Sequence, residues 1–116
     1  MDDILRLTLL FDFYGELLTE KQKYIFEMYR LNDLSLAEIA EDLNISRQAV
    51  RDQLKRTEKS LNAYEAKLNL LERFLRQKAE AIRIKELAEA IKSHSSDKTT
   101  LEYTAKIIDI ADSISD

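Results

Sequence analysis

Residues 35–61 decide the fold: Ser35-Leu36-Ala37-Glu38-Ile39-Ala40-Glu41-Asp42-Leu43-Asn44-Ile45-Ser46-Arg47-Gln48-Ala49-Val50-Arg51-Asp52-Gln53-Leu54-Lys55-Arg56-Thr57-Glu58-Lys59-Ser60-Leu61. They read as a short helix, a tight turn and a second helix beginning at Ser46, which is the pattern of a helix-turn-helix. Two helices can cross at a fixed angle only where the residues at their contact are small or apolar at set offsets. Ile39, Ala40, Leu43, Ile45, Val50 and Leu54 occupy those offsets. Ala40 is the small residue where the backbones approach, Asn44 takes the left-handed conformation that the turn demands, and Ser46 caps the next helix. Arg47, Gln48, Arg51 and Lys55 are then left pointing outward.

Upstream, residues 3 to 14 form an expected helix that is apolar on most faces (Ile4, Leu5, Leu7, Leu9, Leu10, Phe11, Phe13, Tyr14) and stops at Gly15. Such a helix has to be covered by others. Thr19 with Gln22 is a capping-box signature for a second helix running to about Leu31, with Ile25, Phe26, Met28 and Tyr29 as its core face, and Asn32-Asp33 ends it. Ser35 with Glu38 repeats the signature.

Downstream of Ser46 no glycine or proline appears for more than forty residues. Val50, Leu54, Thr57, Leu61, Tyr64, Leu68, Leu71 and Leu75 follow steps of four and three, a heptad seam with one polar interruption at Thr57. The next position is Lys78, and the apolar series resumes at Ala79, Ile82, Leu87 and Ile91, so the spacing predicts a phase shift or helix break near Leu75 to Lys78. The seam fits two partners equally, the chain's own terminal helices or a second copy. A homodimer is expected. Residues 93 to 100 form a polar loop, Thr99 with Glu102 resembles a third capping box, and Leu101, Ala105, Ile108 and Ala111 mark the docking face of a last helix widened by Ile107, Ile110 and Ile114.

The chain has 116 residues, 45% of them hydrophobic, with no proline and one glycine. With no run of alternating β-branched residues, an all-α fold is expected and a sheet-based enzyme fold is not. The expected organisation is a single domain, residues 1–116. Within it, residues 18–61 form the helix-turn-helix and its supporting helix, and residues 62–116 a long-helix extension and C-terminal helix with an oligomerisation role. The absence of cysteine removes disulfides, thiolate zinc sites and thiol nucleophiles. An acidic N-terminus, Met1-Asp2-Asp3-Ile4, and the lack of a long apolar run point to a cytoplasmic protein without membrane insertion.

The net charge of −4 is unevenly distributed. Residues 1–46 carry four basic and ten acidic side chains, residues 47–85 eleven and five, and residues 86–116 three and seven, giving −6, +6 and −4. Positive potential therefore collects on the second helix of the motif and its continuation, where a phosphate backbone would need it. No catalytic constellation accompanies it. His94 is the single histidine and sits in a polar loop without a second metal ligand, and there is no glycine-rich phosphate loop, so neither an enzyme nor a cofactor is expected.

Leu18-Thr19-Glu20-Lys21-Gln22, Ser35-Leu36-Ala37-Glu38-Ile39-Ala40 and Ile45-Ser46-Arg47-Gln48-Ala49-Val50-Arg51 resemble the promoter-reading fourth region of bacterial sigma factors. With Leu9-Leu10-Phe11-Asp12-Phe13-Tyr14-Gly15 and Tyr64-Glu65-Ala66-Lys67-Leu68 added, the whole chain is similar to the YlxM-type family, small bacterial proteins whose genes typically neighbour signal recognition particle components. The resemblance implies a DNA-binding regulator connected with that pathway.

In a helix-turn-helix the first turn of the second helix enters the major groove. Ser46, Arg47, Gln48 and Asp52 are therefore the candidates for base contact, with Arg47 suited to guanine and Gln48 to adenine. Arg51, Lys55, Arg56 and Lys59 are candidates for phosphate contact with double-stranded DNA. Asp52 is placed preferentially in an i,i+4 pair with Arg56. A rival reading is an RNA- or protein-binding accessory module of the signal recognition particle machinery, relying on Arg73, Arg76, Lys78, Arg83 and Lys85. In a third reading, a dimerisation scaffold, neither set matters.

Overall fold

The computed structural model describes residues 1–116 and contains six α-helices and no strand. They are α1 (Asp3–Tyr14), α2 (Glu20–Phe26), α3 (Leu36–Leu43), α4 (Arg47–Leu68), α5 (Leu70–Ser93) and α6 (Lys98–Ser115). The chain divides into two compact units, Met1–Leu71 and Glu72–Asp116. The boundary expected after residue 61 falls inside α4, and the division comes ten residues later.

In the first unit each helix start is fixed by its own side chains. The Asp2 carboxylate accepts from the Ile4 N–H at 3.0 Å. Thr19 and Gln22 form a complete capping box at α2, and Ser35 and Glu38 form another at α3. Each box satisfies N–H groups that have no acceptor inside the helix. Past Phe26 the backbone widens into a π turn, Glu27–Leu31, closed by the Asn32 N–H to the Glu27 carbonyl at 3.0 Å. Asp33, at φ 57°, then redirects the chain. At the end of α1, Gly15 has an ordinary right-handed backbone. Its value is space, because a Cβ there would sit 3.2 Å from the Phe11 ring, which stacks on Phe26 with centroids 4.5 Å apart.

The motif itself closes as its sequence demands. Asn44 adopts the left-handed conformation (φ 56°), and Ser46 caps α4 by accepting from the Ala49 N–H at 3.0 Å. Ile25, Ile39, Ala40, Val50 and Leu54 form one buried cluster, flanked by Tyr24, Met28, Tyr29, Leu34, Leu36, Leu43 and Ile45. Farther along α4, Thr57 and Leu61 are also fully buried. The Thr57 hydroxyl donates to the Gln53 carbonyl at 2.8 Å, so the polar interruption carries no unmet hydrogen bond. This half of the heptad seam is intramolecular.

The helix break lies elsewhere than the spacing predicts. The chain turns at Asn69 (φ 54°), not at Leu75 to Lys78, and Leu68 is exposed. A buried polar knot accounts for the position. The Tyr14 hydroxyl donates to Glu65 Oε1 at 2.6 Å and accepts from the Leu70 N–H at 3.1 Å, while the same Glu65 oxygen accepts from the Leu71 N–H at 3.0 Å. Residues of α1 and α4 thus cap the first turn of α5, whose leading N–H groups have no acceptor within the helix. Burial, and then the hydrogen bond to Glu65, hold the Tyr14 phenol above its ordinary pKa.

In the second unit α6 is capped by Asp97, which accepts from the Thr100 N–H at 2.9 Å. The expected Thr99–Glu102 box does not form, because the helix begins at Lys98 and Thr99 lies inside it. The buried positions of α6 are Thr104, Ala111 and Ser115, with Leu101 and Ile108 half-buried and Ala105 exposed, so its inner face keeps three of the four expected positions and gains Thr104 and Ser115.

Asn69 supplies a direct test, since asparagine and glycine tolerate left-handed backbone and alanine does not. Asn69→Gly should leave urea-unfolding stability within a few tenths of a kcal/mol, and Asn69→Ala should lower it by about 1 kcal/mol. Equal losses would show that the Asn69 side chain, and not its conformation, is what the break requires.

Candidate nucleic-acid interface

The placement of α4 follows from its own periodicity. Val50, Leu54, Thr57 and Leu61 are buried on one side of the helix, so Gln48, Asp52, Lys55 and Lys59, at spacings of four, three and four, form a stripe on the opposite side. Arg47 and Arg51 border the stripe on one flank and Arg56 on the other, and all three are exposed. Seven of the eight candidates named from the sequence thus share one continuous outer surface, with Ser46 at its N-terminal edge.

Two of the three acids of α4 are engaged away from these cations, and the third, Asp52, lies among them. Glu58 pairs with Arg30 at 3.1 Å, and Glu65 is buried in the knot with Tyr14. Asp52 accepts from Gln48 Nε2 at 2.9 Å, and no Asp52–Arg56 ion pair forms. The expected pairing is corrected by direction along the helix: Gln48, one turn towards the N-terminus, takes the carboxylate. Arg47, Arg51, Lys55, Arg56 and Lys59 are all exposed, and none is in an ion pair. They form a strip of five cations around the single carboxylate of Asp52.

Two features of the strip concern orientation. The Gln48–Asp52 bond fixes one amide hydrogen and leaves the other, together with the carbonyl oxygen, free to face outward. That is the donor and acceptor pair that matches an adenine edge. Ser46 uses one lone pair of its hydroxyl oxygen to cap the helix, and keeps the hydroxyl hydrogen and the second lone pair available. The Gln48–Asp52 pairing was not part of the sequence reading, although the i,i+4 spacing alone allowed it.

The alternative basic set is less uniform. Lys85 forms an ion pair with Asp112 at 2.9 Å, and that hydrogen bond raises its pKa. The Lys78 ammonium lies 5.6 Å from the centre of the Phe74 ring, whereas Arg73, Arg76 and Arg83 are exposed. No cluster of residues capable of holding a metal ion is present, and no helix is long and apolar enough to cross a membrane.

Residues 1–107 match the UPF0122 family, described as "Putative helix-turn-helix protein, YlxM / p13 like". The chain belongs to this family. Among its UPF0122 relatives, the protein of Thermoanaerobacter sp. (strain X514) is 50% identical over 106 residues, 91% of each chain. YlxM of Bacillus subtilis (strain 168) is 46% identical over 102 residues, covering 88% of this chain and 93% of its own. The relative from Oceanobacillus iheyensis is 46% identical over 110 residues, 95% of this chain and 98% of its own. A helix-turn-helix family fits the all-α architecture, and makes nucleic-acid binding the plausible use of the α4 strip.

Arg47 occupies the first turn of α4, where no acidic residue offsets the positive end of the helix dipole. Local stability would favour an acid there. Arg47→Glu should therefore raise unfolding stability by roughly 0.3–1 kcal/mol in low salt while weakening duplex binding. Denaturant titration and a binding isotherm on the same sample check both, and a variant that loses stability contradicts the dipole argument.

The α3 cap carries a pH signature. Hydrogen bonds from the Ser35 backbone and side chain hold the Glu38 carboxyl below its usual 4.5. A carboxyl with a depressed folded pKa stabilises fully above its unfolded value and loses that contribution as pH falls through the folded one. Thermal midpoints measured from neutral to acid pH should fall across that window in the wild type. In Glu38→Gln, which keeps the box without the charge, the fall should be smaller.

Proposed function

We propose that this UPF0122 chain is a non-enzymatic DNA-binding regulator that reads duplex DNA with the first two turns of α4. The observation that carries the reading is the strip of Arg47, Arg51, Lys55, Arg56 and Lys59, exposed and free of ion pairs, with Glu58 and Glu65 engaged elsewhere and Asp52 bonded to Gln48. A surface of that kind costs self-repulsion and gains binding to a polyanion. Arg47 and Gln48 supply base readout, Arg51, Lys55, Arg56 and Lys59 hold phosphates, and Asp52 is a positioning residue acting through the Gln48 amide. The family resemblance supports a regulatory role connected with the signal recognition particle pathway in the cytoplasm. The tie between Lys85 and Asp112 weighs against the alternative basic surface as the main nucleic-acid site.

Selection of duplexes from a genomic library, followed by salt titrations, tests the assignment. Arg47→Ala/Gln48→Ala should reduce the preference for selected over random duplex by at least ~10-fold with little change in the salt slope of random binding, since each good base pair contact gives about 1–3 kcal/mol of discrimination. Lys55→Ala/Lys59→Ala should weaken both duplexes alike and lower the slope by about 2. Asp52→Asn should lose preference for the selected duplex but keep the slope. Binding to signal recognition particle RNA that survives loss of the α4 residues and fails on Arg73→Ala/Arg76→Ala would replace this reading with that of an RNA-binding module.

A further inference from the structure

The second unit buries almost no large side chain. Within Glu72–Asp116 the fully buried residues are small, Ala81, Ala88, Thr104, Ala111 and Ser115, with Leu75, Leu101 and Ile108 half-buried. Most of the large apolar residues lie outside that contact. On α5, Ile84, Leu87 and Ile91 recur at steps of three and four, with 48%, 59% and 51% of their surface exposed. On α6, Tyr103, Ile107, Ile110 and Ile114 recur at steps of four, three and four, and each is at least 39% exposed. The two stripes adjoin, since Ile84 and Ile114 line one groove together with Gln77, Glu80 and Ala81.

We infer that this continuous apolar face is the homodimer interface of the protein, covered by the same face of a second copy. The inference does not depend on what α4 binds. Three observations point to a second copy of the chain as the occupant. The spacing on α6 is that of an a/d seam, the pattern that lets one helix pack along another, and a two-fold axis brings a stripe against itself without needing any other sequence.

The area is also of the right size. Seven such side chains expose on the order of 600 Å², at the top of the ~300–600 Å² range for the largest apolar patch of a monomer. That area approaches the ~800 Å² that each partner brings to a standard interface. Charge is permissive as well: residues 72–116 carry eight basic and nine acidic side chains, a net of −1, so two copies of the unit do not repel.

A unit of this size with so thin an interior needs reinforcement by a disulfide, a metal or another chain. It has no cysteine and no metal cluster, and a second copy is a reinforcement of the kind it needs. The dimer contact therefore moves from the seam read in the sequence, whose Val50, Leu54 and Leu61 are buried inside the first unit, to the outer face of α5 and α6.

Sedimentation equilibrium of the full chain tests this. The wild type should sediment at twice its 13.5 kDa mass. Ile107→Glu/Ile110→Glu should raise the dimer dissociation constant by at least ~30-fold, the size of an interface-centre loss, with the helical circular dichroism of the first unit retained. A second variant keeps the test decisive should the double substitution unfold the unit. Since the chain has no cysteine, Ile110→Cys should form an intermolecular disulfide on oxidation, whereas Lys59→Cys, on the outer face of α4, should not. A monomeric wild type, a dimer undiminished by the two glutamates, or no cross-link at residue 110 would each overturn the inference.

Discussion

The burial of Val50, Leu54, Thr57 and Leu61 along one side of α4 is the constraint on which the rest of the first unit depends. Once that face is packed against α1, α2 and α3, rotation of α4 about its axis is fixed. A turn of one residue would bury a lysine or arginine and expose Val50, at a cost far above the few tenths of a kcal/mol that any surface pair returns. The positive strip is thus a consequence of the core. The same packing joins α3 to α4 through Ile39 and Ala40, and leaves Ser46, Arg47 and Gln48 exposed at the start of α4.

The far end of α4 is fixed by polar chemistry. Tyr14 and Glu65 share a buried hydrogen bond and between them accept the first two N–H groups of α5. An apolar pair at these positions would pack but leave those N–H groups unsatisfied, and a buried amide without a partner costs about 1–3 kcal/mol. The knot therefore ends α4 at Leu68 and starts α5 at Leu70.

The parts of the fold that rest on local signals could be read from the sequence. Thr19–Gln22, Ser35–Glu38, Asn44 and Ser46 each state a helix boundary within four residues, and every one of those boundaries is where it was expected. The parts that rest on long-range pairing could not. Glu65 reads as one more surface acid until Tyr14, fifty-one positions earlier, is known to face it. Asn69 is the same residue type as Asn44 and takes the same left-handed conformation, but the heptad steps run on through Leu71 and Leu75 and give no sign of a break there. The α6 cap failed for a related reason: Asp97, Thr99 and Thr100 are all competent capping residues, and only the backbone path selects among them. At the candidate interface, helix phase is enough to expect the α4 cations exposed, as they are, while the partner of Asp52 depended on a choice between Gln48 and Arg56 that spacing leaves open.

The central claim is that the outer stripe of α4 is the surface that meets duplex DNA. Chemical-shift mapping of the isotope-labelled full chain against a random-sequence duplex at low salt tests it most directly. The account predicts that the largest amide and side-chain shifts fall on Ser46, Arg47, Gln48, Arg51, Lys55 and Lys59, fade as salt is raised, and leave Tyr103, Ile107 and Ile110 unmoved. Shifts centred on Arg73, Arg76 and Arg83 with α4 silent, or no salt-sensitive shift at all, would contradict it.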